Sequence, residues 1–262
     1  MLKEIWEYRQ MIISLVRKDL RGRYKGSVLG FMWTFINPLF QLLIYTLVFQ
    51  FILQSQIERY YLFLFVALIP WIFFSAAITG GSTSVLSQKD LVKKIYFPRE
   101  VLPISYVTSC FVNMLFCFVV VFIVVFISGT KLSILGLLCL PAVMIVEYVL
   151  ALGIAMITSA ITVYFRDLEH ILGIISMAWM YLTPIFYPKD LILNSGAPQW
   201  VKFVFEHVNP MTSIVTAYRA ILRYGSAPDL STLIEAFALG VVFLLVGFLL
   251  FGKLKKHFAE EL

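Results

Sequence analysis

Long apolar runs separated by short charged breaks dominate this chain. Gly26–Ile57 carries no charge over 32 residues, Tyr60–Gln88 none over 29, and Val101–Thr130 none over 30. Leu132–Phe165 is interrupted only by Glu147. Ile171–Pro188 is clean over 18 residues, and Ala236–Gly252 over 17 with room to extend past Glu235. A hydrocarbon core about 30 Å thick needs about 20 apolar residues at 1.5 Å rise each. Lipid offers no water to an unpaired backbone, so such runs predict helices; they are too long and too continuous for barrel strands. The pattern predicts an all-α integral membrane protein with six transmembrane helices over 26–252.

Three segments fall outside the spans. In 1–25, Ile5, Tyr8, Ile12, Leu15, Val16 and Leu20 recur at helical spacing, with basic residues mostly elsewhere on the wheel. This predicts one amphipathic helix in the cytoplasmic interface, with Arg17, Lys18, Arg21, Arg23 and Lys25 facing lipid headgroups. The alternative is a solvated juxtamembrane tail. The loop at 88–100 is short and mixed. Asp90 is placed to cap a helix running through Tyr96, and Pro98 to end it. Leu91, Val92, Ile95, Tyr96 and Phe97 have no lipid to face there, which reads as a docking knob or as a packed loop. The third segment, 188–231, contains Asn209-Pro210, a cap followed by a first-turn proline. Met211, Ile214, Val215, Tyr218, Ile221 and Leu222 then make one apolar stripe that Gly225 can end. With a second amphipathic piece at Gln199–His207, it reads as a hairpin dipping into the outer leaflet, or as a surface loop.

Charge sets the orientation. Of the 21 Lys and Arg residues, 15 fall in 1–29, near 89–100, near 164–170 and after 252, and 6 fall in the opposite loops. The first side is therefore cytoplasmic, with both termini on it and 253–262 as a tail. Only 14% of residues are charged, against about 25% in soluble domains, so the excess apolar surface must face lipid. The net charge of +6 is spread between the spans and forms no patch, which argues against nucleic acid. The first 25 residues hold seven basic side chains and no continuous apolar core, so no cleavable signal peptide is expected. Cys110, Cys117 and Cys139 lie in apolar runs without metal-ligand spacing, and read as small hydrophobes.

Enzyme signatures are missing: no phosphate loop, no H-E-x-x-H, no paired carboxylates in a span. Glu147 is the one acid within a span, with no basic partner at i±3 or i±4, and reads equally as a structural acceptor or part of a conduit. Thr34, Asn37, Gln41 and Tyr45 share a narrow sector of the first span, and Phe49 continues it. Ser176, Met180, Thr183 and Tyr187 form a weaker sector in the fifth. Such faces avoid acyl chains and must meet a helix or line a pathway. Aromatics surround both: Trp33, Phe40, Tyr45 and Phe49, then Trp179, Tyr181, Phe186 and Tyr187. A path of aromatics and neutral amides suits sugars, which stack ring faces and hydrogen-bond through hydroxyls.

Four motifs, in order along the chain, carry a resemblance: RKDLRGRYKGSVLGFMWTFINPL at 17–39, KKIYFPREVLP at 93–103, YFRDLEHIL at 164–172, and TPIFYP at 183–188 with NPMTSIVTAYRAIL at 209–222. Together they resemble the permease subunit of type-2 ABC transporters, in the branch exporting O-antigen, teichoic acid and related polysaccharides. The resemblance implies a homodimer in a bacterial cytoplasmic membrane, joined by two nucleotide-binding ATPase subunits. ATP and Mg would sit on those partners, leaving no cofactor, metal or catalytic site in this chain. It implies coupling through Asp90, Leu91, Lys94, Ile95, Tyr96 and Phe97. It implies a conduit lined by Trp33, Asn37, Phe40, Gln41, Tyr45, Phe49, Trp179, Tyr181, Thr183, Phe186 and Tyr187. The outer gate would include Asn209, Pro210, Tyr218 and Arg219, and the cargo would be an undecaprenyl-diphosphate-linked glycan. An exporter of drugs or lipids shares the fold. A multispan enzyme acting on lipid-linked sugars would need acidic or His clusters that the sequence lacks, and an ion-coupled carrier would need more than Glu147.

Overall fold

The computed structural model describes residues 2–23 and 26–261, and every regular element among them is helical. The N-terminal amphipathic stretch forms two helices rather than one, α1 (Leu2–Glu7) and α2 (Arg9–Gly22), broken at Tyr8. Tyr8 takes φ −90° and ψ 15°, the bridge region, which turns the chain between them. The first apolar run opens with a 3-10 turn at Gly30–Met32, continues as α3 (Trp33–Thr46) and ends in a wide π-type turn at Leu47–Ile52. Next come α4 (Tyr60–Ser82), a 3-10 turn at Leu86–Gln88 and α5 (Lys89–Lys94). Two long helices follow, α6 (Val101–Ile127) and α7 (Ile134–Thr162), then α8 (Leu168–Leu182). The segment at 188–231 holds α9 (Asp190–Leu193), α10 (Gln199–Phe203) with a π-type turn at Val204–Val208, and α11 (Pro210–Leu222). The chain closes with α12 (Leu230–Leu254), a 3-10 turn at Lys255–His257 and α13 (Phe258–Glu261).

Among the described residues, five helices are long and apolar enough to cross a membrane: Gly30–Ile52, Tyr60–Ser82, Val101–Ile127, Ile134–Thr162 and Leu230–His257. The fifth predicted span departs from its run. Its helix α8 has 15 residues, about 22 Å of rise, and falls short of the hydrocarbon core. The cause is Thr183-Pro184: a residue before proline is pushed out of the helical region, and Thr183 is extended at φ −105°, ψ 140°.

The bundle is centred on α4, whose apolar stretch is 78% buried, against 6% for Gly30–Ile52. Helices α3, α6, α7, α8 and α11 all pack on α4. The first span therefore covers the core with one edge and leaves a broad face open. The tightest pairing joins α7 to α12 and depends on glycines. A Cβ on Gly153 would lie 2.5 Å from the Leu244 amide nitrogen, and one on Gly247 would lie 2.7 Å from the Gly153 carbonyl. In lipid, where lipid tails are as apolar as Leu, such close backbone approach is a main source of helix association. Near the N-terminus, α2, with Val16 buried, packs on α6.

Candidate functional site

The break after α8 is the most constrained irregular backbone in the molecule. Thr183, Pro184, Ile185 and Phe186 are all buried; the Thr183 carbonyl accepts from the Ile185 amide at 2.7 Å, and the carbonyls of Pro184, Ile185 and Phe186 need donors from elsewhere. Side chains supply them. The Asn209 amide donates to the Leu182 carbonyl at 3.1 Å and to Thr183 Oγ1 at 3.2 Å. Its carbonyl oxygen accepts from Trp179 Nε1 at 2.9 Å and caps α11 through the Met211 amide at 3.2 Å. The Arg219 guanidinium, 4% exposed, donates to the carbonyls of Pro184, Ile185 (2.7 Å) and Phe63 (3.2 Å). It also lies 3.5 Å from the Phe63 ring centroid. No carboxylate is among these partners; the guanidinium is balanced by carbonyl dipoles and an aromatic face. Tyr60 Oη donates to the Phe186 carbonyl at 3.0 Å, and Tyr187 Oη to the Tyr181 carbonyl at 2.7 Å. Helix α11 is thus fastened to the broken span at both of its ends.

The first span reaches the same place through its aromatics. Phe49 stacks on Phe186 at 4.8 Å and on Tyr60 at 6.0 Å, and Tyr45 meets Phe186 edge-on at 5.0 Å. Tyr181 also packs on Phe186, at 5.5 Å, while Tyr187 stacks on Phe205 at 6.5 Å. The proposed conduit residues therefore divide. Tyr45, Phe49, Trp179, Thr183, Phe186 and Tyr187 are buried or half-buried and knit this end of the bundle together; Asn37, Phe40, Gln41 and Tyr181 are exposed. Trp33 is half-buried and donates from Nε1 to Ser27 Oγ at 2.9 Å. In the polar sector of the first span, Thr34 is buried with its hydroxyl unpaired, so the sector twists from core to open face along the helix. Ser176 turns inward too, 2.7 Å from Ser75 Oγ on α4.

The loop at 88–100 differs from its predicted form. Helix α5 ends at Lys94 rather than Tyr96, and Gln88 takes the N-cap position, with Asp90 in the first turn. Ile95 becomes extended at φ −130°, ψ 137°, which lets Phe97 turn back into the core. Val92 and Phe97 are buried and Leu91 is half-buried; Ile95 at 55% and Tyr96 at 92% exposure are the knob that remains. Asp90 and Lys94 are exposed beside them. The root of the loop is anchored by fully buried Glu100, paired with Lys255 Nζ at 2.6 Å.

Of the headgroup candidates, Arg17, Lys18 and Arg21 are exposed, and Lys18 donates to Gln88 Oε1 at 3.4 Å. Arg23 turns inward instead. It pairs with Asp19 at 2.9 Å and donates to Ser109 Oγ (3.3 Å) and Cys110 Sγ (3.2 Å) on α6. Lys25 lies outside the described residues.

Sequence reasoning left Glu147 alone; the structure gives it a partner. Tyr218 Oη donates to Glu147 Oε2 at 2.7 Å, with both residues fully buried. The other carboxylate oxygen has no partner. Glu147 is thus an acceptor between α7 and α11, away from any open face. The missed signal was Tyr218-Arg219 within the apolar stripe of α11: two polar tips in a buried helix require partners. Among the described residues, no group of three or more His, Cys, Asp or Glu could hold a metal ion.

Long apolar helices, a side-chain-stapled break after α8 and an exposed loop at the opposite end define an all-α, multi-pass membrane protein. The chain belongs to the ABC-2 type transporter family, whose model matches residues 10–222. It is a transporter membrane subunit and not itself an enzyme. Similar proteins include the O-antigen export system permease protein RfbA of Myxococcus xanthus, 33% identical over 262 residues, covering 100% of this chain and 99% of the relative. Two proteins of the same name from Klebsiella pneumoniae are 31% and 30% identical over 252 residues, covering 96% of this chain and 95% of each relative.

Proposed function

We propose that this chain is the permease subunit of an ATP-driven exporter that carries a lipid-linked, O-antigen-like polysaccharide across the cytoplasmic membrane. The observation that carries the reading is full-length similarity to O-antigen export permeases, on a chain whose first span leaves Asn37, Phe40 and Gln41 open. Two copies would face each other across α3 and α8, with the glycan passing between them. Helix α8, though short, would act with the stapled 183–187 backbone as the fifth of six spans, leaving both termini cytoplasmic. Irregular backbone at membrane depth is tolerated where protein buries it, as here. Two ATPase subunits would bind ATP and Mg and dock on Ile95 and Tyr96. The undecaprenyl-diphosphate carrier would remain in lipid while the glycan crosses, and α10 and α11 would close the outer mouth.

Deleting the gene should leave lipid-linked glycan inside the cell and remove it from the surface. Unchanged surface glycan would refute the assignment of cargo. In reconstituted vesicles, Tyr96→Asp should preserve insertion while breaking the link between hydrolysis and transport. Normal transport by that variant would remove the knob from the docking site.

A further inference from the structure

Beside the Ile95–Tyr96 knob lies a groove of about 580 Å³ between the cytoplasmic loop and the C-terminal end of α12. Its lining includes Lys93, Lys94, Arg99, Lys255 and Lys256, with Glu4 as the one acid. Two of these cations fasten the C-terminal segment to the loop. Lys255 pairs with buried Glu100 at 2.6 Å, and Arg99 donates to the Lys255 carbonyl. The Arg99 guanidinium also lies 5.9 Å from the ring of Phe258, which is itself fully buried. That leaves Lys93, Lys94 and Lys256, all exposed and in no ion pair among the described residues. Three ammonium groups around one concavity repel one another, and a partner that brings carboxylates relieves that repulsion.

We infer that the C-terminal segment is half of a composite docking surface. It presents Lys256 next to Lys93 and Lys94, and together they receive an acidic patch of the ATPase subunit while Tyr96 enters an apolar socket. This deepens the permease reading above and rests on it. Shape favours a protein over a lipid surface: a projecting tyrosine beside a concave basic groove matches a relief of ridge and socket, whereas a bilayer face is flat. The buried Lys255–Glu100 pair fixes the register of the two halves, so the three lysines hold a constant spacing.

The test uses the full-length permease in nanodiscs of neutral phosphatidylcholine and its cognate ATPase subunit, with affinity measured at low and at moderate salt. Rim charges act mainly through long-range attraction that salt screens. The variant K93E/K94E/K256E should weaken binding about tenfold or more at low salt and flatten the salt dependence, and K256E alone should weaken it several-fold. Unchanged affinity and salt slope for K256E would overturn the composite surface. So would weakening that appears only when anionic phosphatidylglycerol is added, which would assign the lysines to lipid. Tyr96→Asp separates the two levels. If it weakens binding while the lysine variants do not, docking on the knob stands and the composite surface falls. If none of these variants weakens binding, the docking reading falls as well.

Discussion

Arg219→Leu tests whether the broken span is held by side chains of α11. Leucine keeps much of the volume and removes the donors to the Phe63, Pro184 and Ile185 carbonyls. Each buried carbonyl left unpaired costs about 1–3 kcal/mol. The contact with the Phe63 ring goes as well. Against this, the substitution relieves the desolvation of a buried guanidinium, worth several kcal/mol. Losing the carbonyl partners wins because the charge is already well solvated by three dipoles and a ring, and the net cost is about 2–4 kcal/mol. That cost should appear locally, as opening of 183–187. Ile185 is fully buried, so Ile185→Cys reports the opening through maleimide labelling, in a background where half-buried Cys139 is replaced. At 1.4 kcal/mol per tenfold, labelling should accelerate roughly 30- to 1,000-fold with Arg219→Leu. Arg219→Lys should fall between, because one ammonium cannot span three carbonyls as the planar fork does. Equal labelling rates in the Arg219 and Leu backgrounds, with equal melting temperatures, would refute the staple.

Three further outcomes follow from the geometry. Tyr218→Phe removes the donor to Glu147 and should lower stability by about 1–3 kcal/mol, while combining it with Glu147→Leu should recover part of that loss; thermal unfolding in detergent, read as a double-mutant cycle, checks both. Gly153→Val forces apart the α7–α12 backbones and should cost about 2 kcal/mol or more, read as reduced accumulation in membranes and a lower melting temperature. Asn37→Ala and Gln41→Ala, on the open face, should reduce glycan export with melting temperature unchanged, whereas Tyr45→Ala, packed on Phe186, should lower both.

The apolar runs were legible because hydrophobicity is additive along a run: no tertiary fact is needed to see that Val101–Thr130 belongs in lipid, and five helices among the described residues reach spanning length. The start of α11 was legible for a local reason also, since Asn209-Pro210 writes both cap and first turn within two residues. What stayed hidden depends on residues far apart in sequence. Glu147 finds Tyr218 across 71 residues, and Glu100 finds Lys255 across 155. The early end of α5 was hidden because burial of Phe97, and not Pro98 alone, sets the exit of the chain. Within the candidate conduit, the sequence grouped Thr34 with Asn37 and Gln41 by helical spacing. It could not show that Thr34 turns onto α6, where Cys117 Sγ lies 3.4 Å from its carbonyl, while Asn37 and Gln41 stay open.

The distribution of these hidden contacts bears on how movement at one end reaches the other. From the loop at 88–100, Glu100 and Arg99 bind the end of α12. Helix α12 meets α7 backbone to backbone at Gly153 and Gly247, and α7 holds α11 through Glu147 and Tyr218. These contacts join the loop at 88–100, α12, α7 and α11 in series. The last link is different in kind. At 183–187 the backbone is held by rotatable side chains, those of Tyr60, Asn209 and Arg219, rather than by its own helical ladder. Side chains can exchange carbonyl partners without unwinding a helix. A rearrangement at 183–187 therefore breaks no helical ladder.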